Sequence, residues 1–283
     1  STPTPPHAIP LRLVGSEMCI RDRCPQLGMN FPTTEEELLQ TSASFRKIST
    51  DGIISACAGC VDGLLLKIIT PSSKETGNVK ACYSGHYSTY GINVQGVCDG
   101  SCRFTCVAVV TPGSYNDCRA YEESELPALV DALPTGAHII GDNAHPVSEK
   151  LLTPFSGAEA HEELKSNCNF FVSQCRIGIE MAFGRLVNKW RILKTPLHVR
   201  LKNAGKVFMA CALLHNFCIN EGEYVPVVEP SEIEQCSAEY LCSDRSTTRQ
   251  SGTSYTRDNL VNEVADRHLS RPASDLQRND NAN

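Results

Sequence analysis

Cys60-Val61-Asp62-Gly63-Leu64-Leu65-Leu66-Lys67-Ile68-Ile69-Thr70 is an apolar run rich in strand-forming residues, and it carries one carboxylate, Asp62, near its start. A carboxylate inside a core strand is costly unless it is paired or bound to a cation, so this run is read as a strand with a chemical purpose. Downstream, residues 87–98 and 103–110 read as two more strands. They are joined at Asp99-Gly100, a dipeptide suited to a type I′ hairpin turn. Residues 117–132, rich in Glu, Leu and Ala, have helical spacing, and His138-Ile139-Ile140-Gly141-Asp142 is a short buried strand that ends in a second acid. Upstream, Thr34 stands three residues before Glu37, the signature of a capping box, and Leu38, Leu39 and Phe45 continue a helix near 35–46. Val172, Ile179, Phe183, Leu186 and Trp190 make one apolar stripe on a long helix over 166–193, with Glu180 at its edge. A further apolar helix covers 201–219.

The order βββαβ followed by helices, with acids on the first strand, just after the fourth and on a late helix, is that of an α/β ribonuclease H-like mixed sheet flanked by helices. Asp62, Asp142 and Glu180 are therefore the candidate catalytic and metal-binding residues. Phosphodiester cleavage explains such a trio, because two Mg²⁺ ions about 4 Å apart can clamp the attacking and leaving oxygens of an in-line displacement. Mg²⁺ and Mn²⁺ prefer carboxylates and water to Cys or His. Each acid has a plainer reading beside this one. Asp62 before Gly63 suits a turn, Asp142 suits the cap of a helix following Pro146, and Glu180 lies four residues after Arg176, an ordinary helical ion pair. Asp117 reads as a helix-start acid and is left outside the catalytic set. His145, His198 and His215 read as structural. If the acids cluster, removing one charge, as in Asp142→Asn, should relieve repulsion in the metal-free chain.

Composition bounds the rest. A chain of 283 residues, 41% hydrophobic, can bury one substantial core. The expected division is a disordered or artefactual segment over residues 1–30, one nuclease domain over 31–222, and a disordered polar tail over 223–283. Leu13 to Arg23 reads as translated library-adapter sequence and is set aside. No apolar run approaches the ~20 residues needed to cross a bilayer, and no secretory pattern precedes the core, so an intracellular protein without a membrane partner is expected. Fifteen cysteines are read mainly as reduced thiols. Cys57-Ala-Gly-Cys60 has the gap of a zinc half-site but no second close pair to complete it, and strand alternation is expected to place Cys102 and Cys106 on one face. The net charge of −6 argues against a protein that merely coats DNA. Lys189, Arg191, Lys194, Arg200, Lys202 and Lys206 form a basic cluster beyond Glu180, readable as a solvated face or as contacts to DNA phosphates.

Gly59-Cys-Val-Asp62-Gly63, Tyr90-Gly-Ile-Asn-Val-Gln-Gly-Val-Cys-Asp99, Pro112-Gly-Ser114 with Asn116-Asp117, Gly141-Asp142-Asn-Ala-His-Pro146, Arg176-Ile-Gly-Ile-Glu180-Met-Ala-Phe-Gly184, Trp190-Arg-Ile-Leu193 and Leu214-His-Asn216 occur in this order. Between about Phe31 and Gly222 the chain thereby resembles PIF/Harbinger-type DDE transposases and their domesticated nuclease relatives. The resemblance implies a Mg²⁺- or Mn²⁺-dependent endonuclease or strand-transferase in which Asp62, Asp142 and Glu180 hold two ions. Its alternative is a domesticated or decayed transposase that binds DNA or protein without cutting. It further implies DNA as partner, a second, Myb-like DNA-binding protein, self-association and a nuclear location, or a cytoplasmic one without that partner. The helix-turn-helix that family members carry is not expected before residue 31. Members often have Ser and Tyr where this chain has Asn143 and His145, and the resemblance makes that aromatic a packing residue.

Overall fold

The computed structural model describes residues 28–110, 112–222 and 254–272. The adapter-like segment from Leu13 to Arg23 lies outside them. The chain enters through α1, Glu35–Ile48, whose start is closed by the expected capping box: the Thr34 hydroxyl accepts from the Glu37 N–H, and the Glu37 carboxylate accepts from the Thr34 N–H. Four main strands follow in the expected order, β1 (Cys57–Lys67), β3 (Thr89–Cys98), β4 (Phe104–Val110) and β5 (His138–Ile140). Two-residue strands β2 (Tyr83–Ser84) and β6 (Leu151–Leu152) add to them. The helices are α2 (Asp117–Glu122), α3 (Leu126–Asp131), α4 (Glu163–Lys189), α5 (Leu201–Asn220) and α6 (Tyr255–Asp266).

All six strands form one sheet. β3 lies antiparallel to β1 on one edge and to β4 on the other, while β5 runs parallel to β1 and β6 parallel to β5. Reading across as β4, β3, β1, β5, β6, three antiparallel strands are thus joined to two parallel ones, the mixed open sheet of a ribonuclease H-like fold. Both faces are covered. Cys60, Leu64 and Leu66 of β1 and Ile68 just after it belong to the larger core with Phe171, Val172, Ile179, Phe183 and Leu186 of α4 and Phe208 of α5. Val61 belongs to the smaller core with Tyr121 of α2 and Leu126 and Val130 of α3. Each large apolar side chain so buried contributes about 1.5–3 kcal/mol, which is what seats the long helix on the sheet.

Several expectations need correction. The β3–β4 connection is not a two-residue type I′ turn. The Cys102 N–H bonds to the Asp99 carbonyl and the Asp99 N–H to the Arg103 carbonyl, and it is Cys102, φ 64°, that takes the left-handed conformation. This is a three-residue loop with a bulge. The bulge also breaks the alternation, so Cys102 lies in the larger core while Cys106 packs against the smaller one. The helical stretch 117–132 is two short helices, because Pro127 in the first turn of α3 restarts the chain without an N–H to continue α2. The long helix ends at Lys189, and residues 191–194 form a 3₁₀ turn. The expected polar tail contains α6, capped by Ser254 and packed through Arg257, Leu260 and Val264. Among the described residues no helix is long and apolar enough to cross a membrane.

Candidate active site

Cys60 pairs with Ile140 across the parallel β1–β5 ladder, and two residues beyond each partner stand Asp62 and Asp142. The two acids thus follow paired positions of adjacent strands, Asp62 within β1 and Asp142 just past the end of β5. Asp62 shares the parity of Cys60 and Leu64 and faces α4. From that helix Arg176 reaches back: one guanidinium nitrogen lies 3.6 Å from Asp62 Oδ2 and another 2.5 Å from Glu180 Oε1. One cation therefore bridges the first and third acids, and its charge also acts on Asp142. The plainer reading of Glu180 as the ion-pair partner of Arg176 is correct as far as it goes, but the pair stands over the strand acids. Asp142 caps no helix, since the chain after Pro146 runs through turns into β6.

The side chains of Asp62 and Asp142 are only 2% and 14% exposed. Burial raises the Asp62 carboxyl, the Asp142 charge raises it further, and Arg176, His145 and the Gly63 N–H only partly offset them, leaving it at about 7. Burial would raise Asp142 too. There the hydrogen bond and charge of His145, with Arg176, prevail and hold the carboxyl below its ordinary range. The two acids therefore divide the work: Asp142 stays ionised and Asp62 is the member that takes a proton when no ion is near. Asp142→Asn would relieve the repulsion that raises Asp62, but it would also remove the charge that His145 and Arg176 hold ionised.

Sequence reasoning missed a second polar group on the opposite face. Asp117 is no exposed helix-start acid: it is fully buried beneath Gly63, where an added Cβ would come within 2.0 Å of Asp117 Oδ1. Only glycine permits that approach. Burial pushes the Asp117 carboxyl well up, and its Oδ2 has no hydrogen-bond partner. His145, read from sequence as a packing residue, is fully buried with Nδ1 2.7 Å from Asp142 Oδ1 and Nε2 3.1 Å from Gln95 Oε1. The one available signal was Asn116-Asp117 recurring with the other motifs. Of the remaining histidines, His215 is buried, bonded to the Cys102 carbonyl at 2.8 Å and lowered by burial to about 4, whereas His198 is exposed.

Cys60, Cys98 and Cys175 are free thiols, and burial raises all three. They pack as small apolar groups. Of the six basic residues, Lys189 lies about 14 Å along α4 from Glu180 at 1.5 Å per residue; Lys189, Arg191, Arg200, Lys202 and Lys206 are exposed, and Lys194 is half-buried.

As placed, no three His, Cys, Asp or Glu side chains among the described residues are close enough to hold an ion. The donor chemistry nevertheless suits a hard divalent cation: the carboxylates of Asp62 and Glu180 already share one cation, the Arg176 guanidinium, whose charge also acts on Asp142. Stability should register this. The folded chain keeps the Asp62 proton up to about pH 7 while the unfolded chain releases it near the ordinary 3.8, so the folded state binds more protons in that window and loses stability as pH rises through it. Buried neutral His138 and His215 act in the opposite sense, so the Asp62 contribution is read against Asp62→Asn: between pH 5 and pH 8 the metal-free wild type should lose stability relative to that variant, on the order of a few kcal/mol, and millimolar Mg²⁺ should narrow the gap. Parallel stability curves for wild type and Asp62→Asn over that range would contradict this charge assignment.

Residues 61–216 match the family model described as DDE superfamily endonuclease, a span that contains Asp62, Asp142 and Glu180. The chain is 25% identical over 207 residues to "Protein ALP1-like" of Arabidopsis thaliana, covering 68% of this chain and 48% of that protein. Proteins named "Putative nuclease HARBI1" are similar to it in Bos taurus, 25% identical over 236 residues (78% of this chain, 64% of that one), and in Homo sapiens, 26% over 205 (68% and 56%). The chain thus spans about half to two thirds of the length of these relatives. No solved structure matches it.

Proposed function

The chain belongs to the DDE superfamily endonuclease family, and on that premise we propose that it is a metal-dependent DNA endonuclease or strand-transferase of the PIF/Harbinger type. The observation that carries the reading is that Asp62 and Asp142 follow paired positions of adjacent parallel strands while Arg176 pairs with both Asp62 and Glu180. Asp62, Asp142 and Glu180 would hold Mg²⁺ or Mn²⁺, with Arg176 withdrawing from between Asp62 and Glu180. Bound there, one or two such ions supply an activated water or 3′-hydroxyl and a charge to stabilise the leaving oxygen. Ionised Asp142 is ready to ligate at neutral pH, whereas Asp62 must give up its proton first. Released from its carboxylates, Arg176 becomes a donor suited to a phosphate oxygen at the same place. Similarity to proteins named as nucleases supports the reading.

The net charge of −6 bears on partners. Phosphate contacts supply most non-specific affinity and each needs a cation, so this chain alone should bind duplex DNA weakly, with little sequence preference. Specific recognition would come from a further DNA-binding protein of the Myb-like class, in the nucleus. Two assays test this. Supercoiled plasmid should be nicked with Mg²⁺ or Mn²⁺ and not with EDTA, and affinity for terminal-repeat and scrambled duplexes should fall together as salt rises. Binding without any metal-dependent nicking would favour the domesticated alternative. Tight, salt-tolerant and sequence-selective binding would refute the partner requirement.

A further inference from the structure

Behind the acids, hydrogen bonds join five side chains from β3, α2 and the turn after β5. Gln95 of β3 lies opposite Gly63 and points to the face where α2 packs. Its Nε2 donates to Asn93 Oδ1 at 2.9 Å and to Asp117 Oδ1 at 3.2 Å. Two oxygens in front of the nitrogen fix the orientation of the amide and turn Oε1 toward His145. The Nε2–H of His145 can then donate to Gln95 Oε1 at 3.1 Å, and Nδ1 meets Asp142 Oδ1 at 2.7 Å. The imidazole has no room to turn. It is 1% exposed, the edge of Tyr121 is against it, ring centroids 5.8 Å apart, and a Cβ on Gly141 would lie 3.1 Å from its Cγ. The Ala144 N–H also donates to Asp142 Oδ1, at 2.9 Å. Both of these restraints on Asp142 fall on one oxygen.

We propose that His145 is a positioning residue for Asp142. Through Gln95 it ties that carboxylate to Asp117 on the far face of the sheet, so that Oδ1 is fixed inward and Oδ2 is left for the divalent ion. This rests on the metal-binding reading above. It assigns to His145, Gln95 and Asp117 a task that no plain packing residue at position 145 would perform. Partners that orient a ligating group in this way are worth about 10–100-fold in metal affinity.

Mn²⁺ alone is the probe, with free ion followed by electron paramagnetic resonance in titrations of the full chain. His145→Phe keeps a ring in the cavity and removes both hydrogen bonds, and it should weaken Mn²⁺ binding about 10–100-fold. His145→Asn leaves a void but places an amide N–H near Asp142 Oδ1, and it should bind Mn²⁺ more tightly than the Phe variant. A role confined to packing predicts the reverse order. Gln95→Met, which touches neither Asp142 nor the ion, should reproduce part of the loss, and it carries the test if His145→Phe fails to fold. Equal Mn²⁺ affinity in wild type, His145→Phe and Gln95→Met overturns the proposal while leaving the metal site standing. No Mn²⁺ binding by the wild type overturns the metal-binding reading itself, and the positioning role with it.

Discussion

Asp142→Asn should abolish metal-dependent cleavage, lowering the rate by about 1,000-fold or more, which corresponds to roughly 4 kcal/mol of lost transition-state stabilisation. The substitution preserves shape. Asn can still accept the His145 and Ala144 hydrogen bonds through Oδ1, so the turn after β5 should persist. What it removes is the negative charge that His145 and Arg176 keep ionised. It should therefore also lower the stability of the metal-free chain modestly, whereas Asp62→Asn, which removes a carboxyl held in its neutral form by burial and by Asp142, should raise it. Opposite signs for two neighbouring acids are a demanding test. Nicking by Asp142→Asn at the wild-type rate, with matched purity and metal, would place the activity elsewhere.

The largest stability effect is expected far from the acids, at Arg257→Ala. Arg257 is 2% exposed on α6, and its guanidinium donates to the Thr153 carbonyl at 3.0 Å, the Thr153 hydroxyl at 2.7 Å and the Pro154 carbonyl at 2.8 Å, over the ring of Phe155. These groups lie in the segment just after β6, so the arginine fastens the C-terminal helix to the last strand of the sheet. Truncation leaves buried acceptors unpaired and a void beside Leu260 and Val264, a loss of about 2–4 kcal/mol. For a domain of this size the thermal midpoint should fall by roughly 5–15 °C, and residues 254–272 should become an early site of proteolysis. Arg257→Lys should recover little, since an ammonium cannot span three acceptors. An unchanged midpoint and cleavage pattern would show that α6 is not held by this residue.

These two sites divide along what a single sequence can reveal. β1, β3, β4 and β5 were legible because alternation and short apolar runs are local, and the α4 stripe because its period is local too. Asp62, Asp142 and Glu180 stood out as acids at the margins of such patterns. Arg257 did not, because an arginine in a polar tail reads as solvated, and only the carbonyls after β6 make it a core residue. Asp117 looked like a cap acid because Asn116 does cap α2, its side chain accepting from the Arg119 N–H at 3.0 Å, while the burial under Gly63 depends on a strand far away in sequence. His145 and Gln95 meet only through the sheet. The hairpin failed for a related reason: Asp99-Gly100 has the local chemistry of a tight turn, but burial of Cys102 in the larger core selects the bulged loop.

A crystal of the full chain soaked in Mn²⁺ and measured at the manganese absorption edge tests the central claim most directly. The account predicts anomalous peaks among the carboxylates of Asp62, Asp142 and Glu180, two of them about 4 Å apart if both ions bind, with the Arg176 guanidinium withdrawn from Asp62 and Glu180. Arg176 still bridging those two acids at saturating Mn²⁺, with no peak between the strands and α4, would contradict it.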